Sequence, residues 1–218
     1  KSIFEVWVAI IELDNSLNDY KSMAKYAAQA TEYFPNQAVL WYHSGFANFQ
    51  IRDLNEASFA LEEAQNLAFS NKELLVAINS LLGDVYNEQK NYKKSAEIYE
   101  AVLKTDPANE HVLNNYSYYL AMRKDNLDRA KELSSKLVEN FPNNASYLDT
   151  HGWVLYQRKE YEAAKVFLEK AATLAGASGT IIEHYGDVLY QLGKKEDAIE
   201  QWKKAQKLGR ASALIESK

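Results

Sequence analysis

At 218 residues, with 47% hydrophobic residues, the chain is long enough for one extended domain or two small ones with an ample core. The absence of cysteine excludes a disulfide framework, a thiol nucleophile and a cysteine metal site, and it is compatible with any compartment. A net charge of -5 argues against nucleic acid as the partner, and no apolar run approaches membrane-spanning length.

A helical pattern recurs about every 34 residues, which indicates a repeat architecture. Each repeat has one apolar face at the i, i+4, i+7 spacing, a short polar turn, and a second face of the same period. All three prolines, Pro35, Pro107 and Pro142, fall at one repeat phase as helix terminators. Where the paired helices approach most closely, the first helices carry Ile11, Gly45, Gly83, Ser117, Gly152 and Gly186.

We therefore predict one continuous array of six helix-turn-helix repeats followed by a short tail at 213–218, which extends the last helix or covers its apolar edge. The predicted repeats are 4–37, 38–71, 76–109, 110–144, 145–178 and 179–212. Before the third repeat the spacing stretches by about one turn, which predicts a long helix from roughly 71 to 89, with Ser70 and Glu73 as a capping box. The fourth repeat has one extra residue, placed in its internal turn.

The first predicted helix is more apolar than the others. A terminal repeat normally has a polar outer face, whereas this one carries Phe4, Ile10 and Ile11. We therefore expect further repeats, a dimer contact or a capping segment before it, and a chain that is a piece of a longer protein. Asn18 or Ser16 is available to cap the second helix.

These residues resemble the tetratricopeptide repeat, whose signature is W-x2-L-G-x2-Y…A-x3-F…A…P. The resemblance implies an all-α fold, a right-handed superhelical solenoid of about six repeats, whose first helices line a concave, ligand-binding groove. The first and fourth repeats depart from the signature at Ile11 and Ser117, where glycine is expected. The matching residues are Trp41, Gly45, Ala57, Leu61 and Ala64, and then Leu82, Gly83, Tyr86, Tyr92, Tyr99, Asp106 and Pro107.

A narrower resemblance lies in two phrases, LNNYSYYL at 113–120 and YLDTHGWVLY at 147–156. They are similar to the C-terminal repeat blocks of large bacterial repeat proteins, many of them exported and some of them outer-membrane lipoproteins that act as adaptors. This resemblance favours a periplasmic or outer-membrane-associated protein of the bacterial cell envelope, with the cytoplasm as the alternative.

Removing the signature packing positions leaves a set that the resemblance places in the groove. These positions contain no lysine or arginine, which excludes the carboxylate clamp that some family members use for acidic tails. Their aromatic residues suit an extended polypeptide or an apolar helix, and their carboxylates favour a neutral or basic ligand. The predicted protein-binding residues are Tyr42, Phe46, Phe49, Asn115, Tyr118, Asp149, Trp153, Tyr156, His184 and Tyr190.

Packing is the alternative for these residues. Phe46 and Trp153 are not required by the signature, and they either bind a ligand or pack against adjacent repeats. Asn115 either bonds a peptide backbone or is solvated. His184 lies one turn from Asp187, a pair that we expect on a solvated helix face.

Nothing in the sequence predicts an enzyme, a cofactor or a metal site. The four histidines form no HxxxH or HExxH pair, and there is no glycine-rich phosphate loop or serine elbow. We predict an interaction scaffold or adaptor that binds another protein or peptide. The alternative is a structural or oligomerisation module that acts through its terminal repeats, with a possible homodimer.

Overall fold

The computed structural model describes residues 3–209, and these form twelve α-helices and no strand. The helices pair in chain order as first and second members of six helix-turn-helix repeats, which confirms the all-α prediction. They are α1 (Phe4–Ser16), α2 (Tyr20–Tyr33), α3 (Ala38–Gln50), α4 (Leu54–Leu67), α5 (Lys72–Glu88), α6 (Tyr92–Thr105), α7 (Glu110–Arg123), α8 (Leu127–Asn140), α9 (Ala145–Gln157), α10 (Tyr161–Thr173), α11 (Gly179–Gln191) and α12 (Lys195–Lys207).

The contacts group the chain into two compact halves, an N-terminal half (1–107) and a C-terminal half (108–218). The N-terminal half holds α1 to α6, and the C-terminal half holds α7 to α12. A single continuous array therefore stays a prediction, and the predicted tail at 213–218 lies outside the described residues. None of the helices between residues 3 and 209 combines the length and apolarity that a bilayer crossing needs.

The boundaries follow local sequence signals. Each proline stands two residues after the end of a second helix, as the terminator role predicts. The long helix is confirmed, since α5 has 17 residues where α3 has 13. The extra residue of the fourth repeat is not in its turn: all six turns have three residues, and α7 is one residue longer than α9 instead.

Two predicted caps are wrong. The side chain that caps α5 is Asn71, which accepts the Leu74 N–H, and not Ser70. The side chain that caps α2 is Asp19, which accepts the Ser22 N–H, and neither Asn18 nor Ser16 does so. Both corrections move the helix start by one to three residues, because several polar residues in a row offered equivalent caps.

The paired helices approach closely where the first helix carries glycine. A β-carbon added at Gly152 comes within 2.6 Å of Leu168 Cγ, and one added at Gly45 comes within 2.5 Å of Leu61 Cγ. Two first helices, α1 and α7, carry no glycine at this position, and each faces a smaller residue on its paired second helix. Ile11 packs in one buried cluster with Ala27, which stands where Leu61 and Leu168 stand in their repeats.

Ser117 shows the same compensation in the fourth repeat. Allowing for the extra residue of α7, the position of Leu168 is taken by Ser134, and both serines are fully buried. A larger residue on one helix is therefore matched by a smaller one on its partner, which keeps the pair close-packed. At Ile11 and Ser117, therefore, the larger side chain on the first helix is compensated by a smaller one on the second helix of the same repeat.

Each internal turn includes a residue in the left-handed backbone region, and in the last turn this residue is Gly193, with φ of 78°. A β-carbon there would meet no atom within 4 Å, so only backbone strain opposes a side chain. We expect Gly193→Val to lower the free energy of unfolding by about 1–2 kcal/mol, because a β-branched residue tolerates this region poorly. Urea unfolding followed by circular dichroism measures the change. Gly193→Asn is the control, since asparagine adopts this conformation readily, and an equal loss in both variants would refute the explanation.

Candidate functional site

The candidate site is the face formed by the first helices of the C-terminal half, called here the α7–α9–α11 wall. Helix α9 lies between α7 and α11 and contacts both. The three helices begin at matching side-chain caps, in which Asn109, Asn144 and Ser178 each accept a backbone N–H of the first turn. The three helices thus begin at equivalent positions of their repeats, and residues about one repeat apart meet across the wall.

Side-chain hydrogen bonds join neighbouring helices of the wall. Thr150 Oγ1 donates to Asn114 Oδ1 at 2.8 Å between α9 and α7. The Tyr147 hydroxyl donates to Glu110 at 2.9 Å between the same helices. Each bond joins residues 36 or 37 positions apart in the chain. The wall is therefore fixed by specific polar contacts as well as by apolar packing.

A buried histidine–aspartate pair lies at the centre of the wall. His184 Nδ1 of α11 is 2.9 Å from Asp149 Oδ1 of α9, and both side chains are buried. Burial alone would lower the pKa of His184, but attraction to Asp149 and the hydrogen bond with it, aided by Asp187 and Glu183, raise that pKa above its ordinary value. The predicted solvated pair of His184 with Asp187 is wrong, because the imidazole faces Asp149 inside the wall.

The Trp153 ring covers this pair and packs on it, so little of the ring is accessible to a ligand. Its ring stacks on His184 at 4.0 Å between centroids and on Tyr156 at 4.7 Å. Only 9% of Trp153 is exposed, and its buried indole N–H meets no acceptor in the described part of the chain. Trp153 thus packs against an adjacent repeat, and its binding of a ligand stays a prediction.

The three predicted tyrosines of the C-terminal half are more accessible than Trp153. Tyr190 is 46% exposed, while Tyr118 and Tyr156 are half-buried. Burial, with a smaller effect of the nearby Asp149 carboxylate, raises the pKa of Tyr118, so its hydroxyl stays neutral. Gln191 of α11 donates to the Tyr156 hydroxyl at 3.4 Å. The wall therefore presents aromatic rings with polar tips on a rigid base.

Asn115 belongs to a polar cluster of its own helix. Its side-chain oxygen accepts a hydrogen bond from Asn114 Nδ2 at 3.0 Å, and its Nδ2 lies 3.3 Å from His111 Nε2. Asn115 is half-buried, so the prediction that it is otherwise solvated holds only for part of its side chain.

The three predicted residues of the N-terminal half are half-buried. Tyr42, Phe46 and Phe49 all pack against one buried cluster of the second and third repeats. Phe46 also packs against the core of the first two repeats, where its ring meets Tyr20 edge-on at 5.9 Å between centroids. Burial raises the pKa of Tyr42 and lowers that of the neighbouring His43. These rings pack between repeats, and their binding of a ligand stays a prediction.

Two carboxylates of the first helices, Asp84 and Asp187, have partners within the protein. Buried Asp84 accepts the Tyr99 hydroxyl, and Asp187 accepts the Trp202 indole N–H at 2.9 Å. Sequence reasoning singled out Tyr99 and Asp187 without their pairing, and it did not single out Trp202. The sequence signal for such pairs is the distance along the chain between the two partners. It is 15 residues for a pair within one repeat and 35 residues for the His184–Asp149 pair between repeats. Within residues 3–209, no three histidine, aspartate or glutamate side chains form a group that could hold a metal ion.

Comparison with known proteins identifies the repeats. A family model described as "Tetratricopeptide repeat" matches residues 76–109 and 145–177, which contain the third and fifth helix pairs. These two segments are tetratricopeptide repeats. The other four helix pairs have the same arrangement, so the helical solenoid of tetratricopeptide repeats is confirmed as the fold class.

Solved structures of tetratricopeptide proteins resemble this one. PilW, described as a widely conserved type IV pilus biogenesis factor, has a TM-score of 0.83 and 13% identity over 100% of this chain and 98% of PilW. MamA from Desulfovibrio magneticus RS-1 has a TM-score of 0.67 and 17% identity over 79% of this chain and 95% of MamA. YrrB, described as a tetratricopeptide protein with an unusual peptide-binding site, has a TM-score of 0.63 and 17% identity over 86% of this chain and 90% of YrrB.

At these identities the structural likeness concerns the tetratricopeptide fold alone. None of the curated proteins matches the chain in sequence at a significant level. The tetratricopeptide repeats supply the architecture of the wall, and the residues on its surface have to supply the argument for function.

Proposed function

We propose that this protein is a non-catalytic interaction scaffold, which binds a polypeptide segment on the α7–α9–α11 wall. The observation that carries the proposal is the set of accessible tyrosines on a preformed base. Tyr118, Tyr156 and Tyr190 lie on α7, α9 and α11, and a buried histidine–aspartate pair joins α9 to α11. Tyrosine has few rotors and a polar tip, so it gives large contact area at a small entropic cost.

The preferred ligand is a neutral or basic segment with apolar side chains. Asp187 accepts a hydrogen bond from the neutral Trp202 indole, which brings no positive charge to the wall, and Asp149 pairs with His184. No lysine or arginine stands among the predicted wall residues. A rigid wall of this kind leaves most of the ordering cost to the flexible partner.

The setting that we propose is the bacterial cell envelope, periplasmic or associated with the outer membrane. The resemblance of residues 113–120 and 147–156 to exported bacterial repeat proteins supports it. The structural likeness to PilW, a type IV pilus biogenesis factor, is consistent with this setting.

The test compares the wild type with Tyr118→Ala, Tyr190→Ala as baits for partner capture, followed by direct titration of the captured partner. We expect the double variant to bind at least about 30-fold more weakly, the effect of removing about 2 kcal/mol of hot-spot contact. Tyr33→Ala is the matched control, because Tyr33 is 52% exposed on α2 and lies outside the wall. All three proteins must be equally helical by circular dichroism, and equal affinity of the double variant and the wild type would refute the proposal.

A second candidate function is an oligomerisation module that acts through its terminal repeats. The apolar surface of α1 favours it, since Val6 and Leu13 are both about half exposed.

A further inference from the structure

Helix α1 has a second apolar face that no described residue covers. Its inner face packs on α2 through a cluster that includes Ile11 and Trp7. The other face is a stripe with alternating steps of three and four residues, the spacing at which one helix packs along another. Its members are Ile3 (60% exposed), Val6 (51%), half-buried Ile10, Leu13 (56%) and Leu17 (66%).

The same positions in another first helix show what fits this stripe. In α11 the residues that correspond to Val6 and Leu13 are Ile181 and Val188, which are 5% and 0% exposed. Ile181 shares a buried cluster with Ala171 of α10, and Val188 shares one with Leu168 of α10. The stripe of α1 is therefore shaped for the second helix of a repeat.

Helix α12 is such a second helix, and residues 3–209 contain no first helix after it. The α10 residues Ala171 and Leu174, which pack near the start of α11, correspond in α12 to Ala205 and Leu208. Leu208 is 53% exposed. Gln201 stands where α10 has Phe167, so a helix packed on α12 gains less apolar contact and binds more weakly.

The charges of the two helices are complementary. Helix α1 carries Glu5, Glu12 and Asp14 and no basic residue. The second half of α12 carries Lys203, Lys204 and Lys207 and no acidic residue. Because the end of α10 lies beside the start of α11, the same packing would put the α12 lysines beside Glu5. Two copies of α1 would instead place only acidic residues around the contact.

We propose that copies of this chain associate head to tail, with α12 of one copy packed on the α1 stripe of the next. This association is independent of ligand binding on the α7–α9–α11 wall. The two surfaces differ, so each copy keeps one of them open and further copies can add. The opposite charges of the two helices make the association weaken as salt is raised.

The experiment is sedimentation velocity of the 218-residue chain over a concentration series, with two variants that each disable one surface. Val6→Glu, Leu13→Glu places charge on the α1 stripe, where both side chains are about half exposed. Lys204→Glu, Leu208→Glu reverses the charge on α12, and also removes the Lys204–Glu200 ion pair on that helix. Val166→Glu is the control, because Val166 is 64% exposed on α10 and belongs to neither surface.

The wild type and the control are expected to grow beyond a dimer with concentration, and each double variant is expected to associate at least about tenfold more weakly. An equimolar mixture of the two double variants is expected to form a dimer and nothing larger, since one intact surface of each kind remains. Monomeric wild type at every concentration would overturn the proposal. So would a dimer lost only in the α1 variant, which would mean that two α1 stripes pack on each other.

Discussion

Gly83→Ala is expected to lower the free energy of unfolding by about 1–2 kcal/mol, although alanine is the better helix former. In an exposed helix the same change would stabilise by about 1 kcal/mol. At Gly83, however, the added β-carbon lies 2.7 Å from Cδ1 and 2.8 Å from Cζ of Tyr99. Overpacking of this kind typically costs about 1–3 kcal/mol and occasionally more, so it outweighs the gain in propensity.

The Tyr99 ring has little freedom to move away. It is fully buried, its hydroxyl donates to buried Asp84, and Ser95 next to it on α6 donates to the Gly83 carbonyl oxygen at 2.8 Å. A shift of the ring would break a buried hydrogen bond as well as the packing. Urea unfolding followed by far-ultraviolet circular dichroism measures the loss.

Ser117→Ala is the matched control for Gly83→Ala, because Ser117 holds the equivalent place opposite the small Ser134. It removes a hydroxyl that donates to backbone oxygens of Leu113 at 2.7 Å and Asn114 at 3.0 Å. We expect its effect to stay within about 1 kcal/mol. A stabilised Gly83→Ala would show that the pair can separate at little cost, and would contradict the account of close approach.

Acidification is expected to destabilise the C-terminal half through His151. Burial, with repulsion from Lys131 and against a weaker attraction to Glu160, lowers the pKa of His151 from 6.5 to about 4. The His151 ring shares a hydrogen bond with Ser134 at 2.8 Å and meets Phe167 edge-on at 4.5 Å between centroids. Neither neighbour carries a charge that would stabilise a protonated imidazole. The unfolded chain takes up the proton first, so this stability is present above pH 6.5 and lost as the pH falls toward 4.

Full protonation of His151 would lower the free energy of unfolding by about 3 kcal/mol, and about 2 kcal/mol of this should be lost by pH 5. The measurement is the free energy of urea unfolding between pH 7 and pH 5 for the wild type and for His151→Gln. The neutral amide cannot take up a proton, so the variant should have a shallower dependence on pH, whatever its stability at pH 7. His43, whose pKa burial also lowers, is present in both proteins and cancels in the difference.

His184→Gln is the control for the pH experiment. The pKa of His184 is raised in the folded protein, so its contribution is fully present below pH 6.5 and is lost only as the pH rises through the higher folded value. Between pH 7 and pH 5 this variant should keep most of the wild-type slope. If His151→Gln kept the whole slope, carboxyl groups or His43 would be responsible instead.

The repeat pattern predicted the helices well, because apolar period and turn residues agree in each repeat and the three prolines mark the ends of three of them. The long α5 could be predicted from the spacing alone. The caps at Asn71 and Asp19 could not, since neighbouring polar residues offer nearly equal hydrogen bonds and tertiary packing selects among them.

Side-chain roles on the wall were harder to predict. Trp153 and His184 fall at positions that the signature leaves open, and the sequence cannot tell whether such residues face a ligand or each other. Their stacking depends on the distance between α9 and α11, which packing throughout the C-terminal half determines. The compensation between Ile11 and Ala27 could have been found by comparing positions about 16 residues apart in every repeat.

That compensation limits how such a protein can be recombined or diversified. A single helix cannot be exchanged between repeats without loss of packing. For example, α1 paired with α4 would place Ile11 against Leu61, two large side chains at a position where each repeat accommodates one. A complete helix pair carries both members of the match with it. Duplication, deletion or domain grafting in this chain should therefore respect the pair as its smallest exchangeable module, with breakpoints after Pro35, Pro107 or Pro142 rather than in the three-residue turns.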